Sequence, residues 1–229
     1  MIERTKKHWK HFRVRLSNYG MLVAICLVLF LLPALALPYQ AHLFTTGISV
    51  IIILSIEATS QHFNASRRSQ VLGALLAIWI SRYTGHYFIK IIANFWLFVF
   101  FAMRVFMFIR DLAVRKEVNV RAILESINGY LLLGIALGFL VSLVSMISPA
   151  AFTFDFKDTV LDYYNPYYYA FVTMTTLGYG DCLPLTNAGK AISVFICLVG
   201  QLYLVTVVSM LIGRLLATQD IGKNQLQNK

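Results

Sequence analysis

"TMTTLGYGDCLP", Thr173 to Pro184, places three threonines, two closely spaced glycines and an aspartate inside a chain that is otherwise strongly apolar. Long apolar runs stand on either side, Ile127 to Ser148 before it and Ala188 to Leu216 after it. If both runs cross a membrane, the segment between them begins and ends on one side. Ala170 to Leu177 is too apolar for a surface loop, so the segment is expected to dip into the bilayer and return. "YNPYYYAFVTMTT" reads as a short helix with Asn165 as N-cap and Pro166 at the first helical position, where its missing N–H costs nothing. The helix is expected to stop at Gly178.

Irregular backbone at membrane depth is tolerated only where it lines a water-filled path or is buried in protein. "TLGYG", Thr176 to Gly180, is such a backbone. Gly178 and Gly180 adopt positive φ without penalty, so alternate residues can turn their carbonyls to one side as a ladder of oxygens that dehydrates a cation. Thr176 adds a hydroxyl at the inner end. The C-terminus of the short helix directs partial negative charge toward the same path.

Composition agrees with a membrane setting. Of 229 residues, 59% are hydrophobic and 13% charged, and the mean hydropathy is +0.70, well above the apolar share of ordinary globular domains. A hydrocarbon core about 30 Å thick takes roughly 20 apolar residues per helix, so spanning helices use up the length and no soluble regulatory or catalytic domain is expected. The net charge of +10 sits beside apolar segments, in stretches such as "RTKKHWKHFRVR", and reads as membrane topology and anionic-lipid attraction. Nucleic-acid binding is not expected. The cysteines, Cys26, Cys182 and Cys197, have no metal-ligand spacing.

Outward from the quoted stretch, further apolar runs cover Tyr19 to Leu37, about His42 to Ala58, Val71 to about Tyr83, and roughly Tyr87 to Ile109. The first ends in "PALAL", which is compatible with a retained helix or with a signal cleavage site. Arg67 and Arg68 and the loop "RDLAVRKEVNVR" suit the cytoplasmic side, and Arg82 is expected to snorkel outward. "AFTFDFKDTVLDYYNPYYY", with Asp155, Asp158 and Asp162, suits the outside; the "NAS" match at Asn64 would be cytoplasmic and without meaning. The fold expected is an all-α polytopic membrane protein with about six transmembrane helices and a re-entrant pore helix and filter between the fifth and sixth. The divisions are 1–18, a basic cytoplasmic N-terminus; 19–120, a four-helix membrane domain; 121–217, the pore domain; and 218–229, a short cytoplasmic tail. Gly134 and Gly138 form a G-x-x-x-G spacing that lets helix backbones approach.

"TMTTLGYGD" resembles the signature of potassium channels, whose filter usually reads T-V-G-Y-G. The likeness continues through "LPLT" and a glycine-bearing last helix, about the last hundred residues. The resemblance implies that carbonyls of Thr176, Leu177, Gly178 and Tyr179, with the Thr176 hydroxyl, bind dehydrated K⁺ in a row. Gly180 would shape the outer mouth, with Thr175, Asp181, Tyr168 and Tyr169 supporting the filter. One chain carries one copy of the motif, so a homotetramer would close the pore. Gly200 falls where such channels often have a gating hinge, and close helix packing is the alternative. Leu177 stands in place of valine, Val172 where some members hold a glutamate, and Tyr168 and Tyr169 where tryptophans are common. The two tyrosines are expected to hydrogen-bond and stack around Tyr179.

Voltage-gated relatives carry basic residues at every third position of the fourth helix, whereas only Lys90, Arg104 and Arg110 are present here, with Arg104 expected to anchor at the interface. Glu57 is a further charge within an apolar run. The stripe Leu204, Val208, Ile212 and Leu216 is an inner-gate candidate that closes by dewetting, or else a lipid or helix contact. The reading is a K⁺-selective, weakly voltage-dependent homotetrameric channel of the cell membrane, both termini cytoplasmic, with no cofactor besides the permeant ion and no enzymatic reaction. Its alternatives are a non-selective cation channel of the same architecture and a polytopic transporter or enzyme.

Overall fold

The computed structural model describes residues 16–35, 39–58, 65–114, 120–154 and 163–227. The basic stretch ahead of Leu16, the Asn64 acceptor match and Asp155, Asp158 and Asp162 lie outside them. The chain is all-α and polytopic. Its helices are α1 (Leu16–Ala34), α2 (Gln40–Ala58), α3 (Ala65–Tyr83), α4 (Tyr87–Val114), α5 (Val120–Ile147), α6 (Asn165–Met174) and α7 (Asn187–Gln227). Among the described residues the backbone pairs as a bridge at Phe152 and Pro184, antiparallel, and no strand is formed.

Five of these helices, α1, α2, α4, α5 and the Asn187–Arg214 part of α7, are long and apolar enough to cross a membrane. About six were expected. The helix that falls short is α3, which is as long as α2 but holds Arg67, Arg68 and Arg82. It also begins at Ala65, ahead of the expected Val71. No proline follows Pro184, and α7 runs on to Gln227 through the segment expected as a tail. Likewise α4 continues to Val114 and α5 starts at Val120.

The helices are joined largely where polar side chains meet backbone. Pro33 has no N–H to offer the carbonyl of Leu29 four residues back, and α1 answers with a π-turn over Leu27–Leu31. At the opposite end of α1, Ser17 donates to the Leu54 carbonyl at 3.1 Å, and Asn128 of α5 donates to the Asn18 carbonyl at 3.0 Å. A polar side chain inside a bilayer is stable only when it finds such a partner.

The centre of the bundle is α5, which packs against α4, α6 and α7. Gly134 and Gly138 make this approach possible: a Cβ on the first would overlap the Phe171 ring and on the second the Tyr167 ring, both on α6. The expected close packing is therefore present, with α6 seated on the glycine face. More than half of α5's apolar window, 56%, is buried, against 22% for α7. Much of α7 is thus left uncovered by the described residues.

Arg104 does not anchor at an interface. It is buried in the bundle, 1% exposed, and its guanidinium donates to the Ser55 carbonyl of α2 and to the Met107 sulfur at 3.4 Å. A charge at this depth is held by carbonyl dipoles that a lipid-facing position does not offer.

Candidate functional site: the filter segment

The site is built on α6, whose start and end both differ from the sequence expectation. Tyr164, not Asn165, is the N-cap: its carbonyl accepts from the N–H groups of Tyr167 and Tyr168, both at 3.0 Å. Pro166 still costs no bond, because the second helical position also lacks a partner four residues back. The helix ends at Met174, ahead of Gly178. Thr175 donates its hydroxyl to the Phe171 carbonyl at 2.7 Å, satisfying one of the carbonyls a helix end leaves open. Thr176 then turns left-handed, φ 60°, and acts as the stop that a glycine usually supplies.

Left-handed backbone recurs at every second residue: Thr176 at φ 60°, Gly178 at 58° and Gly180 at 81°. Leu177 and Tyr179 between them are not left-handed. For the two glycines this geometry is free of strain, whereas for Thr176 it costs on the order of 1 kcal/mol. Such an alternation counter-rotates successive peptide planes and lets their carbonyls face one side. The Leu177 and Gly178 N–H groups both donate to the Val172 carbonyl, at 3.0 and 3.3 Å, pinning the start of the segment to α6. Here Val172 serves through its main chain.

The far end is pinned too. Thr153 N–H donates to the Leu183 carbonyl at 2.9 Å, Leu183 N–H to the Thr153 hydroxyl at 2.7 Å, and Leu185 N–H to the Ala151 carbonyl at 2.8 Å. Tyr168 donates to Asp181 Oδ2 at 2.7 Å, and Oδ1 of the same carboxylate accepts from the Cys182 N–H at 3.0 Å. The Tyr168 bond is the main cause holding the Asp181 carboxyl below its usual range; desolvation opposes it, and the Asp181 and Cys182 N–H bonds add to the lowering. Desolvation, and secondarily Asp181, push the Cys182 thiol up.

Tyr169 departs from expectation. Its ring sits on Phe152 at a centroid distance of 4.8 Å and makes no ring contact with Tyr179 among the described residues. Its hydroxyl meets Ser193 Oγ at 2.5 Å; the Ser193 proton is committed to the Gly189 carbonyl at 2.7 Å, so Tyr169 is the donor. Leu177 and Tyr179 are 54% and 67% exposed among the described residues.

Below the filter, Gly200 of α7 lies against Met174, and a Cβ there would stand 2.7 Å from the Met174 carbonyl oxygen. At Gly200 the geometry shows close packing against the end of α6. Leu204, Val208, Ile212 and Leu216 are all exposed along α7. Three supports had not been singled out in the sequence: Gln201, whose amide reaches the Met174 carbonyl at 3.5 Å, Tyr203, which donates to the Ser126 carbonyl at 2.8 Å, and Tyr164, which donates to the Leu29 carbonyl at 2.8 Å. A glutamine inside an apolar crossing was the available signal, since such a group rarely faces lipid.

Residues 131–217, from within α5 to within α7, match the model of a family described as ion channel. That segment is similar to an ion channel family. The filter segment lies wholly within it, as do α6 and every residue that pins the filter. No solved structure matches the chain. The chain's α1 to α4 fall outside the matched residues, yet α1 touches the start of α6 directly through Leu29 and Tyr164.

Proposed function

We propose that this multi-pass ion channel conducts K⁺ selectively through a pore closed by four copies of the chain. The observation that carries the reading is the alternation of left-handed backbone at Thr176, Gly178 and Gly180, placed directly after a short helix and pinned at both ends. Carbonyls of Thr176, Leu177, Gly178 and Tyr179, with the Thr176 hydroxyl, form the ion ladder. A ladder of carbonyl dipoles replaces the hydration shell of a cation without any charged ring. The uncovered Leu177, Tyr179 and outer side of α7 support an assembly in which neighbouring copies cover them.

Arg104 held by the Ser55 carbonyl favours shallow voltage dependence. Each charge crossing the full field contributes about 2.3 kcal/mol per 100 mV, and α4 has no series of such charges. Placing both termini in the cytoplasm of a cell membrane follows from the basic connectors. The stripe from Leu204 to Leu216 is the proposed inner gate.

A non-selective cation channel is the second reading, favoured by Leu177, which is longer than the usual valine and 54% exposed. Protein reconstituted in liposomes with asymmetric K⁺ and Na⁺ decides between them. A reversal potential near the K⁺ equilibrium value, lost as flux in Gly178→Ala, supports selectivity; a reversal near zero refutes it.

A further inference from the structure

A cavity of about 430 Å³ opens between α2, α3, α4, α5 and the start of α6, at the end of the bundle where the filter segment begins and ends. It lies outside the ion path and touches the pore helix at Pro166 and Tyr167. Two cationic residues line it, Arg82 in the last turn of α3 and Lys90 in the first turn of α4, and no carboxylate does among the described residues. Among the described residues neither cation has an ion pair or side-chain hydrogen bond there. Two cations lining one cavity favour an anionic occupant.

The neutral polar groups point the same way. Ser81 Oγ accepts from the Asn94 amide at 3.1 Å, which leaves its own proton to donate. Ser142 lines the cavity with no side-chain hydrogen bond to any described residue. The cavity therefore offers two cations and two hydroxyl donors, the groups that bind phosphate oxygens. Part of the remaining wall is apolar, made by Phe44, Ile78, Leu97 and Phe139, and that part gives a small inorganic anion nothing to bind.

We infer that this cavity holds the head of an anionic phospholipid, its phosphate between Arg82 and Lys90 and an acyl chain against the apolar wall. The shared chemistry with free phosphate is the oxyanion; the apolar wall and the position at one end of a membrane-spanning bundle favour the lipid. The inference is independent of which ion the pore selects.

The test uses the full chain purified in neutral detergent, with bound lipid measured by native mass spectrometry and protection by thermal unfolding. Phosphatidylglycerol is expected to bind roughly 30-fold tighter than phosphatidylcholine, the ratio corresponding to two cationic contacts. The double variant Arg82→Gln, Lys90→Gln should lose that preference, while Arg110→Gln, exposed and paired with Asp111, should keep it. Ser142→Phe fills the cavity without altering charge and should expel both lipids, which keeps the inference testable even where the double variant unfolds. Equal binding of the two lipids, or a preference that survives in either cavity variant, overturns it. Protection by inorganic phosphate equal to that by phosphatidylglycerol assigns the cavity to a soluble anion and overturns the lipid.

Discussion

The Tyr164 hydroxyl donates a 2.8 Å hydrogen bond to the main-chain carbonyl of Leu29, joining the N-cap of the pore helix to the first helix of the chain. The acceptor is available because Pro33, four residues on, has no N–H to give it. Tyr164→Phe should therefore destabilise the protein by about 1 kcal/mol. In a Pro33→Ala background the restored helical N–H competes for the same carbonyl, so the cost of Tyr164→Phe should shrink. A double-mutant cycle by thermal unfolding measures the difference, and purely additive effects would count against the link.

A second tie joins the two halves at the other end. Arg214 of α7 donates to the Leu112 carbonyl and, at 2.6 Å, to the Ala113 carbonyl, both in the last turn of α4 where helix carbonyls lack partners. Bonds from a charged donor contribute about 1.5–3 kcal/mol. Arg214→Gln should then shift the open-to-closed ratio by roughly 10- to 100-fold, away from whichever state holds α7 against α4. Reversal potential should not change, because the filter is untouched. Single-channel recording reports both quantities.

Gly200 and Gly213 lie on the same helix but differ in surroundings. A Cβ at Gly200 meets the Met174 carbonyl and side chain, whereas at Gly213 it meets nothing within 4 Å. Gly200→Ala should cost about 1–3 kcal/mol by pushing the end of α6 away, and lower flux with it. Gly213→Ala should be neutral or stabilising by up to about 1 kcal/mol through helix propensity. Thermal midpoints of the two variants test the contrast; equal midpoints would mean that Gly200 has no packing role.

The Tyr168–Asp181 pair predicts a pH dependence. Asp181 has a depressed pKa, chiefly through the Tyr168 hydrogen bond. A depressed carboxyl contributes its stabilisation above its ordinary value, roughly 3.9, and loses it as pH falls through the lower folded value. Tyr168→Phe removes the largest cause, so the acid midpoint for loss of current should move to higher pH, toward the ordinary carboxylate range. In Asp181→Asn that acid transition should vanish. An unmoved midpoint in Tyr168→Phe would show that the titrating group is another one.

What the sequence made legible was local. The short helix between two long apolar ones follows from hydropathy, and the alternating backbone after it from the glycine spacing 178 and 180, because backbone freedom is written in residue type. Thr176 was not recognised as left-handed, since a threonine adopts that region only when the bonds to Val172 and Thr173 hold the chain around it. The end of α6 shifted for the same reason. Arg104 and Tyr169 were misplaced because their partners, Ser55 and Ser193, are distant in sequence or on another element, and only tertiary packing brings them together. The seat of α6 on Gly134 and Gly138 was half legible: the spacing announced close approach but not what approaches.

Cys182 follows the Asp181 carboxylate directly after the filter and is partly exposed, with a free thiol. Its pKa is raised, first by desolvation and then by Asp181. A raised pKa means a small thiolate fraction at neutral pH, and the thiolate is the reactive form. Modification by an impermeant thiol reagent should accordingly be slow at pH 7 and accelerate about tenfold per pH unit until the thiol titrates. Asp181→Asn removes the second cause and should raise the rate modestly at fixed pH, leaving the desolvation in place. Cys26 and Cys197 lie within α1 and α7, so an outside reagent should act through Cys182. In the proposed tetramer a cationic adduct at this position repels entering K⁺ across less than a Debye length of about 8 Å, and an anionic adduct of similar size should reduce inward current less. Cys182→Ser should abolish both effects. A rate insensitive to pH, or block that persists in Cys182→Ser, would place the reactive group elsewhere.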